Sequence, residues 1–442
     1  MEYLEFWDRF RKAEDKARVF EIKTIGFYLY PMLRTRLYYQ LAQELGIFSD
    51  PHPNAEPKEV QEALESIIGL LPKSKTIVIP FVRKVGGVDV YTQSVLDELG
   101  SSAQVLEVAN PSDQLDLERI KSYAHKKYES VVYELMLKEK VRDVRDRWAV
   151  MAKVFEEELG VSLGKFADFP NWLVRRYISE CMAFKEFFES QDVKQLILVN
   201  AYSNQSAVVG AKQAGVEVTE IQHGFISEYH PAYSYPNKRI QSAPDRLLVW
   251  GKFWSKAAQF PKGMKVRVLG PSKQFVSQRT QVEGNTRLPG SILFSSQGAL
   301  GQALFEEAIV WAKLKPESKI TFRLHPNEDL ASYESQEIPT NLKLSHKTPG
   351  FLDVLGEHEY LVGGFSTTLY EGLAFGLKVI VLPLPGYENA MAAIKSGDMT
   401  LAKNVGSEKD LDQLLASAKG CANPYAYYAK DIKVKEALRA GF

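Results

Sequence analysis

Arg323-Leu324-His325-Pro326 and Gly363-Gly364-Phe365-Ser366-Thr367-Thr368 each stand where a β-strand runs out. Ile320 to Leu324 alternates strand formers and stops at His-Pro, and the apolar Tyr360-Leu361-Val362 stops at Gly-Gly. The second segment then opens a helix from Thr367 to Phe375, closed by Gly376. Ligands of open α/β sheets bind at the carboxyl ends of strands. A helix N-terminus there offers free amides and hydroxyls to an anion, and an imidazole from the neighbouring strand can donate to the same anion. The pair reads as a cradle for a phosphate or diphosphate. Ser295-Ser296-Gln297-Gly298 leaves a third strand at the same sheet edge and adds hydroxyls, an amide and a glycine. Each segment alone reads equally as an ordinary helix cap; together, with His325 and Pro326, Gly364, and Ser366 to Thr368, they point to a ligand.

Groups able to move a proton lie elsewhere. Ile221-Gln222-His223-Gly224 ends a strand, and Glu228 and His230 follow in the same loop. Asp89 follows Gly86-Gly87 after the first strand, with Arg83 and Lys84 beside it. Asp89, His223 and Glu228 are the candidate bases, since a general base must be a carboxylate or imidazole within reach of an acceptor hydroxyl. His223 reads equally as a backbone-bonded histidine of an interdomain hinge, and Asp89 as a loop or capping aspartate. Glu371, near the first turn of the helix after Ser366, could hold ribose hydroxyls or simply complement the positive helix end.

These residues need two sheets to position them. Strands at 76–81, 104–108, 195–199, 217–221, 246–250 and 265–269 alternate with helices, and after a polar stretch a second series follows at 291–294, 320–324, 343–344, 360–362 and 378–382. Such alternation predicts parallel sheets, so the fold class is α/β: two Rossmann-like domains facing across a cleft. The expected order is an N-terminal helical region (1–70), a first α/β domain (71–270) carrying a helical insertion (113–190), a linker (271–289), a second α/β domain that takes the nucleotide (290–420), and a C-terminal helix (421–442). The aromatic and basic stretch from Tyr28 to Ile47 reads as a helical layer on a core, or as a surface for a membrane interface.

Bulk properties narrow the chemistry. The 442 residues carry 55 Lys+Arg against 55 Asp+Glu, and zero net charge argues against broad nucleic-acid binding. Two cysteines suit a reducing compartment. No apolar run of ~20 residues and no secretory leader is present, so a cytoplasmic address, at the inner face of the plasma membrane if the protein binds it peripherally, is expected. No GxGxxG follows the first strand and no GxxxxGK[ST] occurs, so dinucleotide oxidoreductases and P-loop NTPases lack their fingerprint. No carboxylate cluster suggests a metal.

His325-Pro326 with Ser366-Thr367-Thr368 resembles the paired HP and SS/ST motifs of bacterial transferases that use CMP-activated acidic sugars, the sialyl-, polysialyl- and capsule Kdo transferases. Gln222-His223-Gly224 is similar to the corresponding segment of capsule Kdo transferases and, more loosely, of teichoic acid glycerophosphotransferases. The resemblance covers about 195–390. It implies a GT-B glycosyltransferase, with His325 on the donor phosphate, Ser366 and Thr367 on phosphate or ribose, and inverting transfer without metal or cofactor. The expected partners are a CMP-sugar (sialic, pseudaminic or Kdo type) and a surface-glycan or lipid-linked glycan acceptor. The acidic pair followed by glycine that marks the sialyltransferase base is missing. Alternative readings are a CDP-glycerol or CDP-ribitol phosphotransferase, a nucleotide-sugar epimerase, or a non-catalytic glycan- or nucleotide-binding protein.

Overall fold

The computed structural model describes residues 1–48, 74–81, 89–107, 117–139, 141–282, 287–403 and 405–439. The Pro51–Asn54 loop, the Arg83-Lys84 pair and Gly86-Gly87 lie outside them. The chain opens with α1 (Tyr3–Lys16), a small hairpin of β1 (Lys23–Thr24) and β2 (Phe27–Tyr28), and α2 (Tyr30–Glu44). The first α/β series is β3 (Thr76–Ile79), α3 (Gln93–Leu99), β4 (Ala103–Val105), α4 (Leu117–Lys138), α5 (Val141–Leu159), α6 (Asn171–Ser190), β5 (Gln195–Val199), α7 (Gln205–Gln213), β6 (Glu217–Ile221), β7 (Arg246–Val249) and β8 (Lys265–Val268). The helix α8 (Lys273–Val282) leads to the second series: β9 (Ile292–Ser295), α9 (Gly301–Leu314), β10 (Ile320–Arg323), α10 (Leu330–Glu334), β11 (Leu342–Ser345), α11 (Phe351–Leu355), β12 (Tyr360–Gly363), α12 (Thr367–Ala374), β13 (Lys378–Val381), α13 (Met391–Lys395) and β14 (Thr400–Leu401). Two last helices, α14 (Glu408–Ser417) and α15 (Val434–Leu438), follow.

Each series forms one six-stranded sheet, ordered β4-β3-β5-β6-β7-β8 and β11-β10-β9-β12-β13-β14. Every pairing within them is parallel. Strands such as Leu196-Ile197-Leu198 and Leu361-Val362 are apolar on both faces because helices cover both sides. The chain is therefore α/β with two Rossmann-like domains, the arrangement called GT-B. In the second sheet the order reverses between β9 and β12, so the loops after Ser295 and Gly363 flank the crevice where ligands bind.

The N-terminal layer is a helix pair packed on a core. Phe6, Phe10, Leu37 and Tyr38 bury against Phe155 of the insertion and Tyr235. Its centre is ionic. Arg34, with 0% exposure, donates from Nε to Glu14 Oε1 at 2.5 Å and from Nη2 to Glu14 Oε2 at 3.0 Å. Its Nη1 donates to the carbonyls of Pro231 and Ser234, the latter at 2.7 Å. The Tyr235 ring lies 4.5 Å from the guanidinium, and Tyr30 Oη donates to Glu14 at 2.8 Å. Burial opposes the charge of Arg34, but Glu14 beside it holds the guanidinium pKa above its ordinary value.

Three segments differ from the sequence expectation. The polar stretch 271–289 contains α8, which is packed rather than free: Arg279 is buried and donates to Tyr428 O at 3.2 Å, and Phe275 stacks on Tyr428 at 4.3 Å. Among the described residues of the C-terminal stretch, a short 3-10 turn at Pro424–Ala426 and one α-helical turn at Val434–Leu438 replace the expected single helix. Ahead of that helix the chain runs back along the first domain, where Trp254 Nε1 donates to Tyr427 O at 2.8 Å and Lys433 N to Leu269 O at 2.7 Å. Those bonds tie this segment to the first domain in place of a continuous helix. Within 1–48, residues 17–29 form a 3-10 turn and the hairpin instead of continuing the helix.

Removing one member of a buried, hydrogen-bonded ion pair strands the other charge and costs about 3–5 kcal/mol. Arg34→Met and Glu14→Gln are each expected to lower unfolding stability by that order in urea titrations, with the Glu14→Leu/Arg34→Met double variant recovering part of the loss. A single-variant cost below ~1 kcal/mol would remove the pair from its structural role.

Candidate functional site

A cleft of about 660 Å³ lies between the domains. The second domain contributes Gln297 to Ala299, His325, Asn327, Glu328, Phe365 and Ser366; the first contributes Phe225 and Tyr229 to Pro231; the N-terminal layer contributes Tyr3, Tyr38, Tyr39, Gln43 and Phe48. Of the residues nominated from sequence, Gln297, Gly298, His325 and Ser366 line it together. Strand register brings them to one edge: Arg323 pairs with Ser295 and Val362 with Phe294, so β10, β9 and β12 end in line.

The remaining cradle residues build the wall rather than face the cleft. Ser295 Oγ and Thr368 Oγ1 bond each other at 2.9 Å, tying β9 to α12. Ser296 Oγ donates to Glu328 Oε1 at 2.8 Å. Thr367 Oγ1 accepts from Phe225 N at 3.1 Å and so joins the two domains. Ser366, which does line the cleft, also caps α12, accepting from Thr368 N at 3.3 Å. Gly364 packs closely on the wall: a Cβ there would meet Leu300 Cδ1 at 2.8 Å, so the leucine side chain would have to shift. Pro326 sits in the turn closed by Glu328 N to His325 O at 3.0 Å.

Glu328 was not singled out from sequence, yet it organises the edge. Its two oxygens take Ser296 Oγ, Tyr333 Oη at 2.7 Å and His325 N at 2.5 Å. It is the one carboxylate among the described residues lining the cleft, and both its oxygens are engaged. The HPxE spacing was the available signal: a carboxylate three residues after the histidine can cap the turn that begins there.

His230 is the second residue that sequence reasoning left without a role. Its Nδ1 accepts from Ala232 N at 3.2 Å, and His325 Nδ1 accepts from Asn327 N at 3.3 Å. An imidazole nitrogen that accepts carries no proton, so Nε2 is the nitrogen left to carry one in each ring. Both histidines are thereby hydrogen-bond donors. Burial, with the charges of His223 and Arg34 behind it, pushes the His230 pKa down to about 3, so the ring is neutral at pH 7.

The three nominated bases do not meet in the cleft. Asp89 is buried and spent on its own loop, accepting from Phe81 N and Tyr91 N, each at 3.0 Å, and from Thr92 Oγ1 at 2.7 Å. A carboxylate fixed by three local donors is a turn brace. Glu228 is exposed and lines a different groove with Phe253, Lys256 and Glu388, because its neighbours Ile226 and Ser227 turn inward instead. His223 stands at the domain junction, within 3.2 Å of Tyr202 Oη through Nε2 and packed on Phe81 at 5.3 Å. Burial lowers its pKa to about 4. Glu371 lies one turn after Thr367 on α12, and burial raises its carboxyl to about 7.

Among the described residues no group of three or more His, Cys, Asp or Glu is placed to hold a metal ion, and no helix is long and apolar enough to cross a membrane. The aromatic-basic stretch around α2 buries Arg34, Leu37 and Tyr38.

No protein-family profile matches the chain, and no curated protein matches its sequence. Several solved structures are similar to the chain over most of its length. MurG of Acinetobacter baumannii is similar over 84% of this chain and 100% of its own, at 12% identity and a TM-score of 0.47. The glycotransferase of kitacinnamycin is similar over 81% and 93%, at 13% identity and 0.47. The UDP-GlcNAc 2-epimerase of Methanocaldococcus jannaschii is similar over 81% and 94%, at 10% identity and 0.43. Likeness of this degree concerns the path of the chain and not its chemistry.

Beneath the cleft, Glu220 on β6 accepts from Ala201 N at 3.1 Å and from Tyr233 Oη at 3.0 Å, and burial raises its pKa to about 7. Its folded pKa lies above its unfolded one, so its contribution is present below pH ~4.5 and is lost as pH rises through ~7. Glu220→Gln keeps both acceptor bonds and removes the titration. In urea unfolding at pH 5 and pH 8, the variant should show a smaller loss of stability between the two than the wild type. An unchanged difference would place the Glu220 carboxyl at an ordinary pKa.

Proposed function

We propose that this protein is a glycosyltransferase that moves an acidic sugar from a CMP-activated donor to a hydroxyl of a glycan acceptor. One observation carries the reading. Hydrogen-bond donors converge on an interdomain cleft at the switch point of the second sheet, where His325, the Ser366-capped end of α12 and His230 meet. The cleft's one described carboxylate is already satisfied. Such a site suits a group that becomes more negative during reaction, which is the leaving phosphate. The resemblance of His325-Pro326 and Ser366-Thr367-Thr368 to the motifs of CMP-sugar transferases supplies the donor class, and the α12 N-terminus adds its dipole.

In this reading the acceptor oxygen attacks the anomeric carbon as the bond from that carbon to the phosphate oxygen breaks. The bonding pair leaves with the phosphate, and direct displacement inverts the centre. His325 and His230 donate from opposite domains to the growing charge. With Asp89 and Glu228 spent or distant, the acceptor proton passes to the departing phosphate. Glu371 and the wall residues Ser295, Ser296 and Thr368 hold the nucleotide's side of the cleft in shape. The acceptor enters from the first domain and the N-terminal layer, the protein working on soluble or membrane-bound glycan from the cytoplasmic side.

Donor class is tested by thermal shift with CMP, CDP, UDP, GDP and ADP, because a ligand that binds the native state raises its melting point by mass action. CMP should give the largest shift; stabilisation by another nucleotide alone overturns the donor assignment. With the donor so identified, His325→Ala should cut single-turnover transfer by ~10²-fold or more, as loss of a preorganised donor does. Glu228→Gln should leave transfer unchanged. A slow Glu228→Gln enzyme beside an unimpaired His325→Ala enzyme would reverse the two assignments.

A further inference from the structure

A second pocket, of about 580 Å³, opens in the first domain on the other side of Tyr39, which lines both it and the cleft. It lies beyond the carboxyl end of β5, beside the point where the first sheet reverses its strand order, and Tyr202, Ser203, Gln205 and Ser206 line it. That is where an open α/β sheet accepts a ligand. Its rim carries Arg36, Lys121 and Arg176 against one acid, Glu180. Lys121 pairs with Glu118 at 3.0 Å and Arg176 with Glu180 at 3.0 Å, whereas Arg36 is exposed and enters no ion pair among the described residues. Trp172 stands in the same rim with 61% of its surface exposed, while the other five tryptophans are buried. Gln205, 7% exposed, gives its amide N–H to Pro31 O at 3.0 Å and leaves Oε1 with no partner among the described residues.

An exposed indole at a polar rim offers a flat face to the C–H side of a sugar ring, and an exposed guanidinium in the same rim fits a carboxylate or phosphate on that ring. From the Trp172 face, the Arg36 charge and the shared Tyr39 wall, we infer that this pocket binds the acceptor and that the acceptor is an anionic saccharide. The inference rests on the transferase reading for its role in catalysis. The anionic rings seat between Trp172 and Arg36, and the end that receives the new sugar reaches past Tyr39 toward His230.

Tryptophan fluorescence gives a direct test, because acrylamide reaches Trp172 before the five buried indoles. The probes are tetragalacturonate, phosphorylated maltotetraose, and their neutral counterparts, methyl-esterified tetragalacturonate and maltotetraose. An acidic probe should protect Trp172 from quenching and its neutral counterpart should not, and the identity of the protecting probe separates a carboxylate from a phosphate ligand. Arg36→Gln should weaken that binding about tenfold, the effect of one lost charged contact. By calorimetry, Trp172→Ala should weaken it similarly and Trp172→Phe should retain it. CMP stabilisation should be the same in all three variants. Failure of both acidic probes to protect, equal protection by the neutral probes, or an unaffected Arg36→Gln protein overturns the inference. Nucleotide binding in the same samples keeps the two readings apart. A protein that binds acidic saccharide but no nucleotide retains the pocket and loses the transferase assignment, and one that binds CMP but no saccharide does the reverse.

Discussion

The buried pair of Arg34 and Glu14 is the interaction on which the site's geometry depends. Neither charge is solvated, so each holds the other, and Arg34 has donors left over for the carbonyls of Pro231 and Ser234. Those carbonyls belong to the loop that carries His230. The same helix that bears Arg34 bears Tyr38 and Tyr39, one turn on, at the cleft. One ion pair thus fixes the N-terminal layer, the His230 loop and the aromatic wall relative to each other. The second domain is then joined to this unit by a short chain of bonds: Ser227 Oγ to Asn389 Oδ1 at 2.5 Å, Asn389 Nδ2 to Tyr3 Oη at 3.0 Å, and Tyr38 Oη to Tyr3 Oη at 3.0 Å.

Polar accounting explains why the edge of the second sheet can serve an anion. A buried hydroxyl or carboxylate without a partner is costly, and here nearly every one has been assigned. Ser295 answers Thr368, Ser296 and Tyr333 answer Glu328, and Gln297 Oε1 takes Phe365 N at 3.2 Å. The two histidines share one device, a backbone N–H two residues on that takes Nδ1 as its acceptor and so fixes the tautomer. A neutral donor held in a low-dielectric cleft interacts with a developing charge more strongly than it would in water, and without reorganising.

The ordering of the domains reflects packing across their junction. Phe365 lies 5.8 Å from both Phe48 and Phe225, which brings the N-terminal layer, the first domain and the second domain to one aromatic contact. Trp250, Tyr428 and Phe275 stack in series at 5.1 and 4.3 Å, and this stack draws the end of the chain back onto the first domain. Aromatic rings bury large apolar areas when they stack, and the packing of Phe275 on Tyr428 explains why 271–289, polar as it is, carries a packed helix instead of a loose connection.

The sequence by itself determined the fold class and one half of the site. Runs such as Leu196-Ile197-Leu198-Val199 and Leu361-Val362, spaced by helices, can only be parallel strands covered on both faces, because only there is an unbroken apolar run buried. The ends of those strands then mark the ligand edge, so His325, Ser366, Gln297 and Gly298 were legible as neighbours from local pattern alone. The rest was decided by the tertiary structure, since it depends on contacts between residues far apart in the chain. Asp89 and Glu228 have the right chemistry for a base, but one is taken up by Phe81, Tyr91 and Thr92 and the other turns to a separate groove. Neither fate is written in residue type. Tyr38, Tyr39 and Phe48 enter the cleft only because Arg34 reaches a loop 200 positions later at Ser234. A charge's partner, a hydroxyl's acceptor and a ring's tautomer are set by what lies across the fold, and that is the information a linear pattern does not carry.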